Sequence, residues 1–84
     1  MLPKQLFDYL LSLSLELKKR GLLELSEVVM LASRHASGIS TEFLGESRIA
    51  LRRTLQQGSD TLTEEERDDL QEAPKQLDKA LDER

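Results

Sequence analysis

The sequence predicts an all-α protein, a small up-and-down bundle of three to four short helices. Apolar residues recur at intervals of three and four, and no segment alternates apolar and polar residues as a half-buried strand would. Glycines stand at positions 21, 38, 45 and 58, and three of them follow a stretch with helical periodicity. Eighteen of the 84 residues are leucine and three are aromatic, so we expect one domain, 1–84, with an aliphatic core.

The first two helices are expected to form an antiparallel hairpin. The first opens with Pro3, whose missing N–H would be unpaired in a first turn anyway, and ends in basic residues before Gly21. The second runs roughly over 22–37, with Gly38 as its stop. The link at Gly21 is short, which favours antiparallel packing of the two helices that it joins. The expected core positions of this hairpin are Leu6, Leu10, Leu13, Leu17, Leu25, Val28, Val29, Ala32 and Ala36.

The third and fourth helices carry clear start signals. Ser40 is the expected N-cap of the third, with Ile39 and Leu44 at the positions of a hydrophobic staple, and Gly58 is its expected end. The run 63–66 reads Thr-Glu-Glu-Glu, which is a capping box for the fourth helix. Pro74 lies within the apolar pattern of that helix, so we expect the helix to continue with a kink there. The expected core positions are Phe43, Leu44, Ser47, Ala50, Leu51, Thr54, Leu55, Leu70, Ala73, Leu77, Ala80 and Leu81.

Two stripes of apolar residues remain after the core positions are assigned. Phe7, Leu11 and Leu15 form a second stripe on the first helix, and Leu23, Met30 and Leu31 fall off the core face of the second. A bundle of this size can rarely cover both stripes, which indicates an interface between copies of the chain. The alternative is a central first helix wrapped by the other three.

Charge divides unequally along the chain. Segment 1–58 carries net charge +2 and the acidic C-terminal segment 59–84 carries −6, which together give the −4 of the whole. The acidic helix could contact a basic partner or imitate nucleic acid, although acids near a helix N-terminus also favour the helix dipole. Arg48, Arg52 and Arg53 form a basic cluster that could hold a phosphate or a carboxylate. A helix-turn-helix around Gly38 is disfavoured, because Glu42 and Glu46 would face phosphates.

Several kinds of chemistry are not supported by the residue types present. The chain has no cysteine and one histidine, His35, which excludes thiolate metal sites and histidine pairs. Glu42 and Glu46 lack the histidine three residues later that di-iron sites require, and no glycine-rich loop precedes a helix. We therefore expect no cofactor, no metal and no enzymatic activity, and no membrane span, with a cytoplasmic location as the default.

The function that the sequence favours is a helical protein-interaction module, self-associating as a homodimer through the first helix. The alternatives are a nucleic-acid-associated regulator that uses the arginine cluster, and an acidic inhibitor that resembles DNA. These three differ in the salt dependence and in the charge of the partner that each would bind.

Overall fold

The computed structural model describes residues 3–37 and 40–82, and this part of the chain is built from four α-helices. The helices are α1 (Pro3–Lys19), α2 (Leu23–Ser33), α3 (Ser40–Gly58) and α4 (Glu64–Asp82), and a short 3-10 helix, Arg34–Ser37, extends α2. The predicted all-α fold is confirmed. The expected stop at Gly38 and the staple residue Ile39 lie outside the described residues, as does the side chain of Ser40.

The turn between α1 and α2 is a Schellman motif. The Leu22 N–H donates to the Leu17 carbonyl at 2.9 Å, and the Gly21 N–H donates to the Lys18 carbonyl at 3.1 Å. Gly21 has a φ of 80°, in the left-handed region that residues with a side chain seldom occupy. The glycine is therefore what lets the chain reverse within three residues, and it produces the predicted antiparallel hairpin.

The second helix is shorter than the sequence predicted. The expected range was 22–37, but the α-helical part ends at Ser33, and the Arg34 N–H donates to the Leu31 carbonyl three residues back. The Ser33 hydroxyl donates to the Met30 carbonyl at 2.6 Å, a local bond of the kind that competes with regular helix geometry. Ala36 lies in this tighter 3-10 turn and is exposed, so the prediction that it belongs to the core is wrong.

The helices pack as an up-and-down bundle in which each helix runs antiparallel to the next. Contacts between α2 and α3 join the start of α2 to the end of α3, where a Cβ on Gly58 would lie 3.2 Å from the Leu25 side chain. Gly58 thus permits close approach of α2 and α3. Side chains of α4 reach α1, but the backbones of these two helices stay farther apart than those of the other neighbours.

The core is aliphatic apart from Phe43, as the leucine content predicted. It also includes Leu62, from the loop before α4, which helical periodicity does not predict. The fourth helix continues through the buried ring of Pro74, in agreement with the continuing apolar pattern. The buried apolar residues are Leu6, Leu10, Leu13, Leu17, Leu25, Val29, Ala32, Phe43, Ala50, Leu51, Leu62, Leu70, Ala73 and Leu77.

Candidate interaction surface

Two apolar grooves lie side by side between α1 and α2, on the surface of the bundle. The first encloses about 520 Å³ and is lined by Phe7, Leu11 and Met30, with Arg34 at its edge. The second encloses about 270 Å³ and is lined by Leu15, Leu23 and Met30, with charged residues at its edge. Because Met30 lines both, the grooves form one continuous surface. We call its six candidate residues the outer apolar face: Phe7, Leu11, Leu15, Leu23, Met30 and Leu31.

The exposure of these side chains differs along the face. Leu15 is 57% exposed, Leu23 62% and Leu31 48%, whereas Phe7 and Leu11 are half-buried. Leu31 lines neither groove, because it lies one residue, or about 100° of helical rotation, beyond Met30 on α2. The structure therefore brings five of the six candidates together and leaves Leu31 at the margin.

A reciprocal pair of serine hydrogen bonds holds α1 and α2 together beneath this face. The Ser14 hydroxyl donates to the Ser26 carbonyl at 2.9 Å, and the Ser26 hydroxyl donates to the Ser14 carbonyl at 2.8 Å. Both residues are buried, and their small side chains let the two helices approach closely. Sequence reasoning missed this pair, because periodicity assigns a residue to a face but not to a partner.

The three arginines of the candidate cluster are engaged within the chain. Arg48 donates to Asp78 of α4 at 3.0 Å, and Arg52 donates to the other oxygen of the same carboxylate. Arg53 donates to Glu24 of α2 at 2.9 Å. Asp78 therefore has its pKa lowered, chiefly by the hydrogen bond from Arg48 and also by that from Arg52. These contacts join α3 to α4 and to α2.

Glu66 lies at the centre of a charged network at the start of α4. Its side chain accepts the Thr63 N–H at 2.8 Å and the Glu66 N–H donates to the Thr63 hydroxyl at 3.1 Å, which confirms the predicted capping box. The two terminal guanidinium nitrogens of Arg20 also donate to its carboxylate, at 2.6 and 2.7 Å. The pKa of Glu66 is lowered to about 2, mainly by the hydrogen bond from Arg20 and then by that from the Thr63 backbone.

An acidic cleft separates α1 from α4. Tyr9 lies in it, half-buried, against Asp69 and near Glu66. Burial raises the pKa of the Tyr9 hydroxyl to about 12, and the charges of Asp69 and Glu66 act in the same direction. Five carboxylates in the first half of α4 are exposed, at 64, 65, 68, 69 and 72. This end of the bundle therefore carries a concentrated negative potential.

The single histidine has a local partner. His35 Nδ1 lies 3.2 Å from a carboxylate oxygen of Glu42, and both side chains are partly exposed. In the part of the chain that the structure describes, no three His, Cys, Asp or Glu residues are grouped as a metal site would require. Within the same residues no helix is both long and apolar enough to cross a bilayer.

Comparison of the chain with protein-family models, with curated proteins and with solved structures found no match.

Proposed function

We propose that this chain is a non-enzymatic helical protein-interaction module that self-associates through the outer apolar face. The observation that carries the proposal is the continuity of the two grooves, which join half-buried and exposed apolar side chains of α1 and α2 over one side of the bundle. Contiguous apolar surface of this kind marks binding sites more often than isolated exposed leucines do. A cytoplasmic location is part of the proposal.

The position of the face in the bundle supports self-association. The opposite side of the hairpin packs on α3, so the core is closed without any contribution from Leu15 or Leu23. Full burial of one leucine side chain contributes about 1.5–3 kcal/mol, so covering the exposed parts of Leu15 and Leu23 contributes about 2–3.5 kcal/mol in total. Phe7, Leu11 and Met30 add to this, since each keeps part of its surface accessible.

The arginine cluster gives little support to the nucleic-acid alternative. Arg48, Arg52 and Arg53 already donate to carboxylates of the same chain, so a phosphate would compete with intact ion pairs. The acidic-inhibitor alternative is favoured by the five exposed carboxylates of α4. It predicts salt-sensitive binding of a basic protein that is lost when Asp68 and Glu72 are replaced by the neutral amides.

A matched pair of substitutions tests the proposal. Leu15→Glu places a charge within the outer apolar face, and Ile49→Glu places one on α3 at a site of the same 57% exposure. Sedimentation equilibrium should find the Leu15→Glu protein monomeric and the Ile49→Glu protein dimeric, with equal helix content by circular dichroism. Dimers of both variants would overturn the assignment of this face, and monomers at every concentration for the unmodified chain would overturn self-association itself.

A further inference from the structure

Two opposite charges, one on α2 and one at the start of its 3-10 extension, have no side-chain partner among the residues that the structure describes. The side chains of Glu27 and Arg34 are exposed and form no hydrogen bond or ion pair with any other described residue. Arg34 is unusual in this respect, because the other five arginines of the described chain all donate to acceptors within it. Both residues border the outer apolar face, Glu27 at one groove and Arg34 at the other.

These two charges cannot satisfy each other within one chain. They are seven residues apart, which separates them by two turns, or about 10.5 Å along the helix axis. We propose that they pair between copies, in a two-fold dimer whose axis passes near Leu11 and Met30. Glu27 of each copy then meets Arg34 of the other. The inference rests on the proposed function, and it adds the orientation of the second copy and the residues that select it.

The spacing of the apolar residues on α1 is compatible with the same two-fold axis. Phe7, Leu11 and Leu15 are spaced at intervals of four, so reversal about Leu11 places Phe7 opposite the second copy's Leu15. Leu11 and Met30 line the same groove, so one two-fold axis can pass close to both residues. An antiparallel arrangement therefore brings apolar residues into contact on α1 and opposite charges into contact on α2.

Electrostatics distinguishes this arrangement from its alternatives. Parallel pairing of α2 with its copy would place Glu27 against Glu27 and Arg34 against Arg34, and like charges at close range are unfavourable. Pairing of α1 with the second copy's α2 would not bring Glu27 of one copy to Arg34 of the other. The antiparallel two-fold dimer is the arrangement in which each copy supplies the acid and the base that the other needs.

Charge reversal at Glu27 and at Arg34 tests the pairing. The proposed geometry predicts that the two variants restore each other's association when they are mixed. Glu27→Arg alone places two arginine pairs in the dimer, and Arg34→Glu alone places two glutamate pairs. Each protein should dissociate about tenfold more readily than the unmodified chain. An equal mixture of the two should form heterodimers of restored affinity, because both contacts are again between opposite charges. The doubly reversed protein should self-associate like the unmodified one.

The control is a pair with the same order and spacing on another helix. Asp68 and Lys75 are exposed on α4 and also seven residues apart, so Asp68→Lys and Lys75→Glu should leave the dissociation constant unchanged. Circular dichroism confirms that each variant is folded. If the unmodified chain dimerises but the α2 variants associate normally, or if their mixture does not recover, the two-fold arrangement is wrong and the proposed function stands. A monomeric unmodified chain overturns both.

The absence of cysteine allows a second, independent measurement. A cysteine at position 11 lies beside the proposed axis, so Leu11→Cys should form a disulfide-linked dimer under mild oxidation. Leu15→Cys is the control, since its counterpart in the second copy is Phe7 and two cysteines at position 15 lie far apart. Efficient cross-linking of Leu15→Cys with none of Leu11→Cys would contradict the antiparallel arrangement.

Discussion

Replacement of Ser14 and Ser26 by alanine, singly and together, reveals how α1 and α2 are held together beneath the outer apolar face. The two hydroxyl groups form three close contacts, two to backbone carbonyls at 2.8 and 2.9 Å and one between the oxygens at 3.0 Å. Two hydroxyl protons can serve only two of these contacts at once. The distances favour the pair of bonds to the carbonyls.

The magnitude follows from this assignment. Each serine then contributes one hydrogen bond, worth about 1 kcal/mol net, and the partner hydroxyl keeps its own acceptor when the other is removed. We expect Ser14→Ala and Ser26→Ala each to destabilise the fold by about 1 kcal/mol, and the double variant by about 2 kcal/mol. For a domain of this size each single change corresponds to a decrease in Tm of about 4–8 °C.

Urea unfolding measures the three free energies, at one fixed protein concentration because the proposed self-association would make stability concentration-dependent. The reasoning predicts additive losses, with a coupling energy below about 0.5 kcal/mol. If the bond between the two oxygens were the important one, the double variant would lose no more than either single variant. That result would refute the assignment of donors and acceptors.

Three further perturbations test other parts of the fold. Gly45→Ala should raise the free energy of unfolding by about 0.5–1 kcal/mol, because Gly45 lies inside α3 and a Cβ there meets nothing within 4 Å; a lower Tm would contradict this. The contacts that lower the pKa of Glu66 stabilise the fold fully at pH values above 4.5, the ordinary pKa of the group. This contribution is lost as the pH falls toward about 2. The difference in Tm between the unmodified protein and Glu66→Gln should therefore shrink over that interval, and a constant difference would speak against the Arg20 contact as its cause. Tyr9 is the only tyrosine, so ultraviolet titration should give a folded-state pKa near 12, and stability should fall as the pH rises above about 10; ionisation near 10 in the folded protein would show that the hydroxyl is not buried beside α4.

Local features of the fold could be predicted because their causes are local in sequence. The Thr63 capping box, the turn at Gly21 and the leucine face of α1 depend on residues within one or two helical turns. The end of α2 at Ser33 could not be predicted in this way, because a serine hydroxyl bond competes with helix continuation on equal terms. Gly58 was expected to end α3, and its further role in letting Leu25 approach depends on how the helices pack.

The candidate surface was predictable in composition but not in arrangement. The excess of apolar residues on α1 and α2 follows from periodicity, and the structure brings Phe7, Leu11 and Met30 to one groove. The pairing of Arg48 and Arg52 with Asp78 depends on the register between α3 and α4, which no pattern within either helix specifies. Charge pairs between helices therefore cannot be predicted from the periodicity of each helix alone.

Sedimentation equilibrium of the unmodified chain over a wide concentration series tests the central proposal most directly. Self-association through the outer apolar face predicts a mass that rises with concentration from that of the 9.6 kDa chain to twice that value. A mass that stays at 9.6 kDa at the highest concentration would contradict self-association.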